Sequence, residues 1–357
     1  MDELTLLRTV RKDVADPSPQ VVDRNRRALV EHIGSRPTRT RHRGLKRAGW
    51  ISGATIVAAG VATALVLSNI VGLAGWRGGA DSAAAAALSD AAAATIKTSD
   101  PVVGPGQYLK VSTQAVYSVD GDGGTGHGAA YLVTQNGQMY VPADHNADWV
   151  WVRDPSTVAK TFGPASERAA AAVANSSSTP DIIRAAKGAW YNGKPTEWGF
   201  QSLPRDPQQL LNYIYRVTAG HGVSPDGEAL VFIADALRTG VVPANLRATL
   251  YKAAAGIPGV KITNHAATLD GRTGIAFGRD ESNGVRQEII IDPTTGLLIG
   301  ERQVLLHDGV LPGVTAGESM GWTAVATTVV DSAPTGGSIC GIGSKPVGGA
   351  GSGQCGG

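Results

Sequence analysis

Cysteine is nearly absent. Cys340 and Cys355 are the two in 357 residues, and both lie close to the C-terminus. Two thiols cannot build a four-ligand zinc site or a disulfide framework, although a spacer of 14 residues could close one disulfide in an oxidising compartment. The seven histidines show no H-x-x-x-H or H-E-x-x-H spacing, which removes the helical zinc-protease pattern. Charge is missing where it matters most: residues 48–76 are 29 consecutive positions without an Asp, Glu, Lys or Arg.

Within that run, residues 50–73 are rich in Ile, Val, Ala and Leu. A bilayer core takes about 20 such residues as a helix. The flanks are unequal. Arg36, Arg39, Arg41, Arg43, Lys46 and Arg47 precede the run, whereas only Arg77 follows closely before Asp81. Residues 1–47 hold twelve basic against six acidic side chains, and the remaining 310 hold twenty against twenty-four. By the positive-inside rule the N-terminus is cytoplasmic and the bulk of the chain exterior, with Trp50 and Trp76 as interfacial aromatics. A cleavable signal peptide fits less well. Its apolar core usually runs about 7 to 15 residues behind a short basic region, and here 47 residues precede the span. The segment reads as a signal-anchor. Gly49 and Gly53 have small-xxx-small spacing, but in so Ala/Gly-rich a span that carries little.

Residues 1–33 read as two short helices broken at Pro17 and Pro19, with Leu4 and Leu7 on one face of the first and Ser18 capping the second. About 30 residues cannot enclose a core, so this segment is a topology-setting tail or a partner-binding helix pair. The basic run 39–47 has no aromatics or recognition helix beside it, which favours anionic lipid headgroups over nucleic acid.

The exterior part, 77–331, opens with an Ala-rich helix at 82–98, read as a stalk leading off the membrane. "GQYLKVSTQAVYSVD" alternates as a half-buried strand. "GAAYLVTQNGQMYVPA" reads as a hairpin turned at Asn136-Gly137 in type I′ form, and "DWVWVRDP" as a further strand. Residues 154–203 are a mixed region. Three helices follow, each opened by a Pro: from Asp206 with Leu210, Leu211, Ile214 and Val217, from Ser224 with Leu230, Ile233, Ala234 and Leu237, and from Pro243 with Leu246, Leu250 and Ala254. Five strand-like runs with short turns then form a meander, which implies antiparallel pairing rather than βαβ units. The tail, 332–357, is Gly/Ser-rich and reads as disordered.

The opening "MDELTLLRTVRKDVADPSP", the single span, "PGQYLKV", "LPRDPQQLL", "LRATLYKAAAGIPGVKI" and "IIIDPTTGLLIGERQVL" together resemble a family of actinobacterial single-pass membrane proteins often encoded beside sigma-factor genes. The likeness covers most of residues 1–331 and implies topology and fold but no activity. The strand, helix and meander order, with "IDPTTGLLIGER", is similar to the open half-barrels of bacterial lipoprotein carriers and of some envelope-stress sensor domains. The expected fold is therefore α+β: a transmembrane helix, then a curved antiparallel sheet packed on about three helices.

Catalytic motifs fail on context. Gly317-Glu318-Ser319-Met320-Gly321 matches the nucleophile elbow, yet no His follows Ser319, the last being His307, and a strand-like run follows where a helix is needed. Gly121, Gly123 and Gly126 match G-x-G-x-x-G but sit between two strands, as a hairpin loop would. Asp120 and Asp122 begin a calcium-loop pattern that Gly124 breaks. His145 reads as a turn residue. A zinc-type anti-sigma module would need a C-x-x-C that residues 1–47 lack. No catalytic, metal or cofactor residue is assigned. The expectation is a membrane-anchored sensor or regulatory binding protein. It would take an apolar ligand or envelope protein outside and a transcription-regulatory partner inside. The alternative is an envelope lipid or lipoprotein carrier whose cytoplasmic tail only sets topology.

Overall fold

A computed structural model describes residues 78–121, 129–174, 179–190, 200–310 and 313–339, together with two isolated two-residue pairings, Val71–Gly72 with Gly75–Trp76 and Pro346–Val347 with Gln354–Cys355. No helix among these is long and apolar enough to cross a membrane. The basic segment 1–47 and residues 48–70 of the expected span lie outside them, as does Cys340.

The architecture is α+β: a large open mixed sheet with five helices among the described residues. In chain order the elements are α1 (Ser82–Thr98), β1 (Tyr108–Gly121), β2 (Ala129–Thr134), β3 (Gly137–Pro142), β4 (Asp148–Arg153), β5 (Val158–Thr161), α2 (Pro164–Ala174), β6 (Asp181–Ala186), α3 (Pro207–Val217), α4 (Pro225–Arg238), α5 (Ala244–Ala254), β7 (Lys261–Leu269), β8 (Arg272–Asp280), β9 (Val285–Ile291), β10 (Leu298–Leu305), β11 (Ser319–Val330) and β12 (Ser338–Ile339). The sheet runs β12-β6-β4-β3-β1-β11-β10-β9-β8-β7, with β2 and β5 branching from β1.

The meander β7–β11 forms as its short turns imply, antiparallel throughout. Consecutive residues face opposite ways: Ile289 and Ile291 join the helix-side core while Ile290 packs with Ala276, Ile299 and Ala324 on the other face. The helices form where the Pro and cap residues place them. Asp206 accepts from the Gln209 N–H at 2.9 Å and Ser224 from that of Gly227 at 2.9 Å. Leu210, Leu211, Ile214, Leu230, Ile233, Leu246 and Leu250 are fully buried, each stabilising the fold by about 1.5 to 3 kcal/mol. Val217 leaves the expected stripe and is 46% exposed.

Four sequence readings need correction. The Asn136-Gly137 hairpin does not exist. β2 and β3 both pair with β1, β2 at its far end and β3 at its near end, so 129–142 is one interrupted strand. Neither Asn136 nor Gly137 has the positive φ that a type I′ turn demands. Asn136 Oδ1 instead accepts from the Ala115 N–H in the gap, and Gly137 is required because a Cβ there would lie 2.6 Å from the Val152 carbonyl oxygen. β1 and β2 are consecutive antiparallel strands, and residues 122–128 between them lie outside those described. Second, α1 is no stalk. Ala84, Ala85, Leu88, Ala91, Ala92 and Thr95 are buried in the main core, against α5. Third, the mixed region holds a helix, α2, packed on β2 through Ala170 against Tyr131 and Val133. Fourth, the sheet is not wholly antiparallel. β12 pairs parallel with β6, and the Arg184 guanidinium donates to the carbonyls of Pro334 and Gly336, so residues assigned to the tail lie along the sheet edge.

Candidate binding cleft

The Asp292–Gly296 turn locks the helix layer onto the sheet. Asp292 accepts from the Thr294 N–H and the Thr295 hydroxyl, both at 2.8 Å, and Gly296 adopts φ 65°. A Cβ on Gly296 would lie 2.3 Å from the Ala91 carbonyl oxygen, so the turn seats directly on α1. Tyr251, fully buried on α5, donates its hydroxyl to the Gly296 carbonyl at 2.9 Å, and burial raises that phenol well above its usual range. Here helices and sheet share one buried cluster that includes Tyr251, Phe277 and Ile289.

Beside this cluster a cleft of about 690 Å³ opens between the α4–α5 connection, the end of α1 and the strands β1 and β11. Leu109, Leu237, Val241, Val242, Leu298 and Val325 supply apolar walls. Three arginines also line it. Arg247, 8% exposed, donates Nε to Thr95 Oγ1 at 2.5 Å, Nη1 to the Val242 carbonyl at 2.7 Å and Nη2 to Asp100 at 3.0 Å. Asp100 in turn accepts from the Ala244 N–H that opens α5, at 2.8 Å. That pair is neutral and structural: it fixes the rim at 98–101 to α5. Within the rim Ser99 holds φ 60° and ψ 172°, a conformation L-residues rarely adopt and that clusters at ligand sites.

Arg205 and Arg272 differ. Each donates one bond to a carbonyl, Arg205 to Leu203 at 2.8 Å and Arg272 to Ile299 at 3.0 Å, and among the described residues neither is ion-paired. His145 also lines the cleft, in a turn fixed by Asp144 accepting from the Asn146 N–H at 3.0 Å. Sequence reading identified that turn but not its place at a site. Nothing in the chain marks Arg205 and Arg272 as lining one cleft, since 66 residues separate them.

A second, smaller cavity of about 160 Å³ lies where α4 crosses the sheet. Glu301, on β10, is 13% exposed there. Its Oε2 accepts from Gln287 at 3.0 Å and Oε1 stands 3.5 Å from Arg238 Nε, which also bonds Asp235 at 2.8 Å. Tyr117 accepts from Arg238 at 3.3 Å and meets Thr323 at 2.9 Å. Burial drives the Glu301 carboxyl up to about 7, against the pull of Arg238 and the Gln287 bond and with the push of Asp235.

Of the motifs set aside earlier, the one around Ser319 lies within the described residues, and Asp122, Gly123, Gly124 and Gly126 lie outside them. Ser319 opens β11 with its Oγ against the backbone carbonyls of Gly321 (2.9 Å) and Gln303 (3.2 Å). His265 and His307 are exposed, and among the described residues no hydrogen bond joins either to Ser319. No cluster of three or more metal-ligating side chains occurs among the described residues. Neither protein-family models nor curated proteins contain a match to this chain.

Proposed function

We propose that this protein is a membrane-anchored sensor or regulatory binding protein. Its exterior domain, read as a half-barrel, takes a ligand in the cleft, and residues 1–47 engage a regulatory partner in the cytoplasm. The observation that carries the reading is the cleft. Its volume of about 690 Å³ lies within the roughly 300 to 1,000 Å³ of small-molecule sites, and apolar walls with a few polar groups are what such sites use. The position of α1 favours a regulator over a carrier. One end of α1 is tied to the core where the Ala80 N–H bonds the Ala255 carbonyl at 3.0 Å, shortly after the expected span. The other end, Thr98 to Asp100, forms the cleft rim. A ligand that shifts the rim therefore acts on the helix nearest the anchor.

Two measurements test this. Reporter fusions after residue 40 and after residue 100 should report opposite compartments, and a shared compartment refutes the topology. A photoreactive long-chain alcohol should label cleft peptides containing Leu109 or Val325 in the full chain held in phosphatidylcholine nanodiscs. Val325→Trp should abolish that labelling, and labelling unaffected by it refutes the cleft.

A further inference from the structure

We infer that the cleft is built for an anionic amphiphile: an apolar chain against Leu109, Leu237 and Val325, with a carboxylate or phosphate oxyanion held by Arg205 and Arg272. The inference rests on the binding reading above and narrows it to one ligand class.

The cleft is lined by three guanidiniums and one carboxylate, Asp100. Arg247 and Asp100 neutralise each other, and Arg247 has donors committed to Thr95 and Val242 as well. That leaves Arg205 and Arg272 without an acidic partner among the described residues, each with one donor used on a backbone carbonyl and the rest of its fork unassigned. A guanidinium carries five donors in a plane that matches a carboxylate or phosphate edge. The carbonyl bonds to Leu203 and Ile299 fix where each group stands without cancelling its charge. One arginine comes from the lead into α3 and the other from the start of β8, so the anion site joins the helix layer to the sheet.

The apolar walls then discriminate. A free phosphate gains nothing from Val241, Val242, Leu298 or Val325, and these buried side chains would leave part of its hydration shell unreplaced. A neutral hydrocarbon gains from the walls but offers no acceptor to the remaining donors of half-buried Arg272 and exposed Arg205. A molecule with both parts satisfies both surfaces. The oxyanion can belong to a free fatty acid or to the headgroup of an anionic phospholipid, and the chemistry at the arginines is the same.

The test uses the full chain in phosphatidylcholine nanodiscs with chain-diazirine probes of matched length: a fatty acid, the corresponding alcohol, and phosphatidylglycerol. The fatty acid or the phosphatidylglycerol should label cleft peptides about ten-fold more than the alcohol, as expected when charged hydrogen bonds are lost. Arg205→Gln with Arg272→Gln should reduce the acid to the alcohol's level. Arg205→Gln alone, at an exposed position with one bond, gives a smaller loss if the double variant folds poorly, as its melting curve will show. Which of the two anionic probes labels better identifies the source of the oxyanion. If alcohol and acid label the cleft equally and the arginine variants change nothing, the ligand class is wrong while the cleft stands. If inorganic phosphate suppresses labelling at millimolar concentration, the site is for a free anion and the amphiphile is refuted. If no probe labels the cleft, the binding reading falls together with this one.

Discussion

Glu301→Gln should make the protein more stable above neutral pH and leave it nearly unchanged in mild acid. The carboxyl is moved from an ordinary 4.5 to about 7, chiefly because burial between α4 and the sheet penalises its charge. A tenfold change in proton affinity corresponds to about 1.4 kcal/mol, so the ionised form is about 3 kcal/mol worse off folded than unfolded. The direction follows from linkage. With its folded value raised, the group binds its proton more tightly in the native state. Its contribution is therefore fully present below pH 4.5 and is lost as pH rises through about 7. Glutamine has no such titration. It still offers an oxygen to Gln287, and Arg238 keeps its 2.8 Å bond to Asp235, so the substitution leaves no orphaned charge. Losing the Arg238 attraction reduces the gain, which we expect at about 1 to 3 kcal/mol at pH 8.5, or about 2 to 6 °C in melting temperature. Thermal unfolding of the full chain and the variant from pH 4.5 to 8.5 checks it. The two curves should separate between pH 4.5 and about 7 and keep a constant offset above that, and curves with the same offset at every pH would refute the claim that Glu301 is buried against its charge.

Gly296→Ala should cost about 2 to 4 kcal/mol in urea unfolding, because it combines φ 65° with a Cβ placed 2.3 Å from the Ala91 oxygen; Gly309→Ala, at φ 82° with open space around it, should cost only about 1 kcal/mol. Truncation after Ser332 removes the acceptors of Arg184 and the β12 pairing, and should lower the melting temperature by about 2 to 6 °C relative to truncation after Ile339, where the sequence alone anticipates a degree or two at most. Ser319→Ala should leave stability and cleft labelling unchanged, since its hydroxyl bonds two backbone carbonyls and lines neither cavity; a hydrolytic rate that vanishes in this variant would overturn the binding reading.

Where the signal is local and repeated, the fold was legible. The meander is five strand-like runs joined by short Gly, Asp and Asn turns, and helices α3 to α5 carry Pro at or before the first turn and Leu at helical spacing. Where one local signal competes with pairing across the sheet, the local signal loses. Asn136-Gly137 is a strong turn dipeptide, but β1 spans 14 residues and accepts both flanking segments in succession, so the chain runs straight past it. In α1 the failure has another cause. Alanine occupies exposed and buried positions alike, so the stripe of Ala84, Leu88, Ala91 and Thr95 has no contrast against its background. The small side chains are nonetheless what lets the Gly296 turn approach the helix.

The cleft was illegible for a reason that no longer pattern search would cure. A nucleophile elbow or a metal motif fixes its partners at set offsets, so a sequence can be tested for it. Arg205 and Arg272 come from a helix lead-in and a hairpin start, and their relation exists only once the meander has folded against the helices. Even then proximity to the cleft is not the property that distinguishes them, since Arg247 lines it as well. The difference is that Arg247 is ion-paired with Asp100 and, among the described residues, the other two are ion-paired with no acid. A charge becomes informative when the structure that surrounds it leaves it uncompensated, and that is a statement about neighbours that the order of residues does not contain.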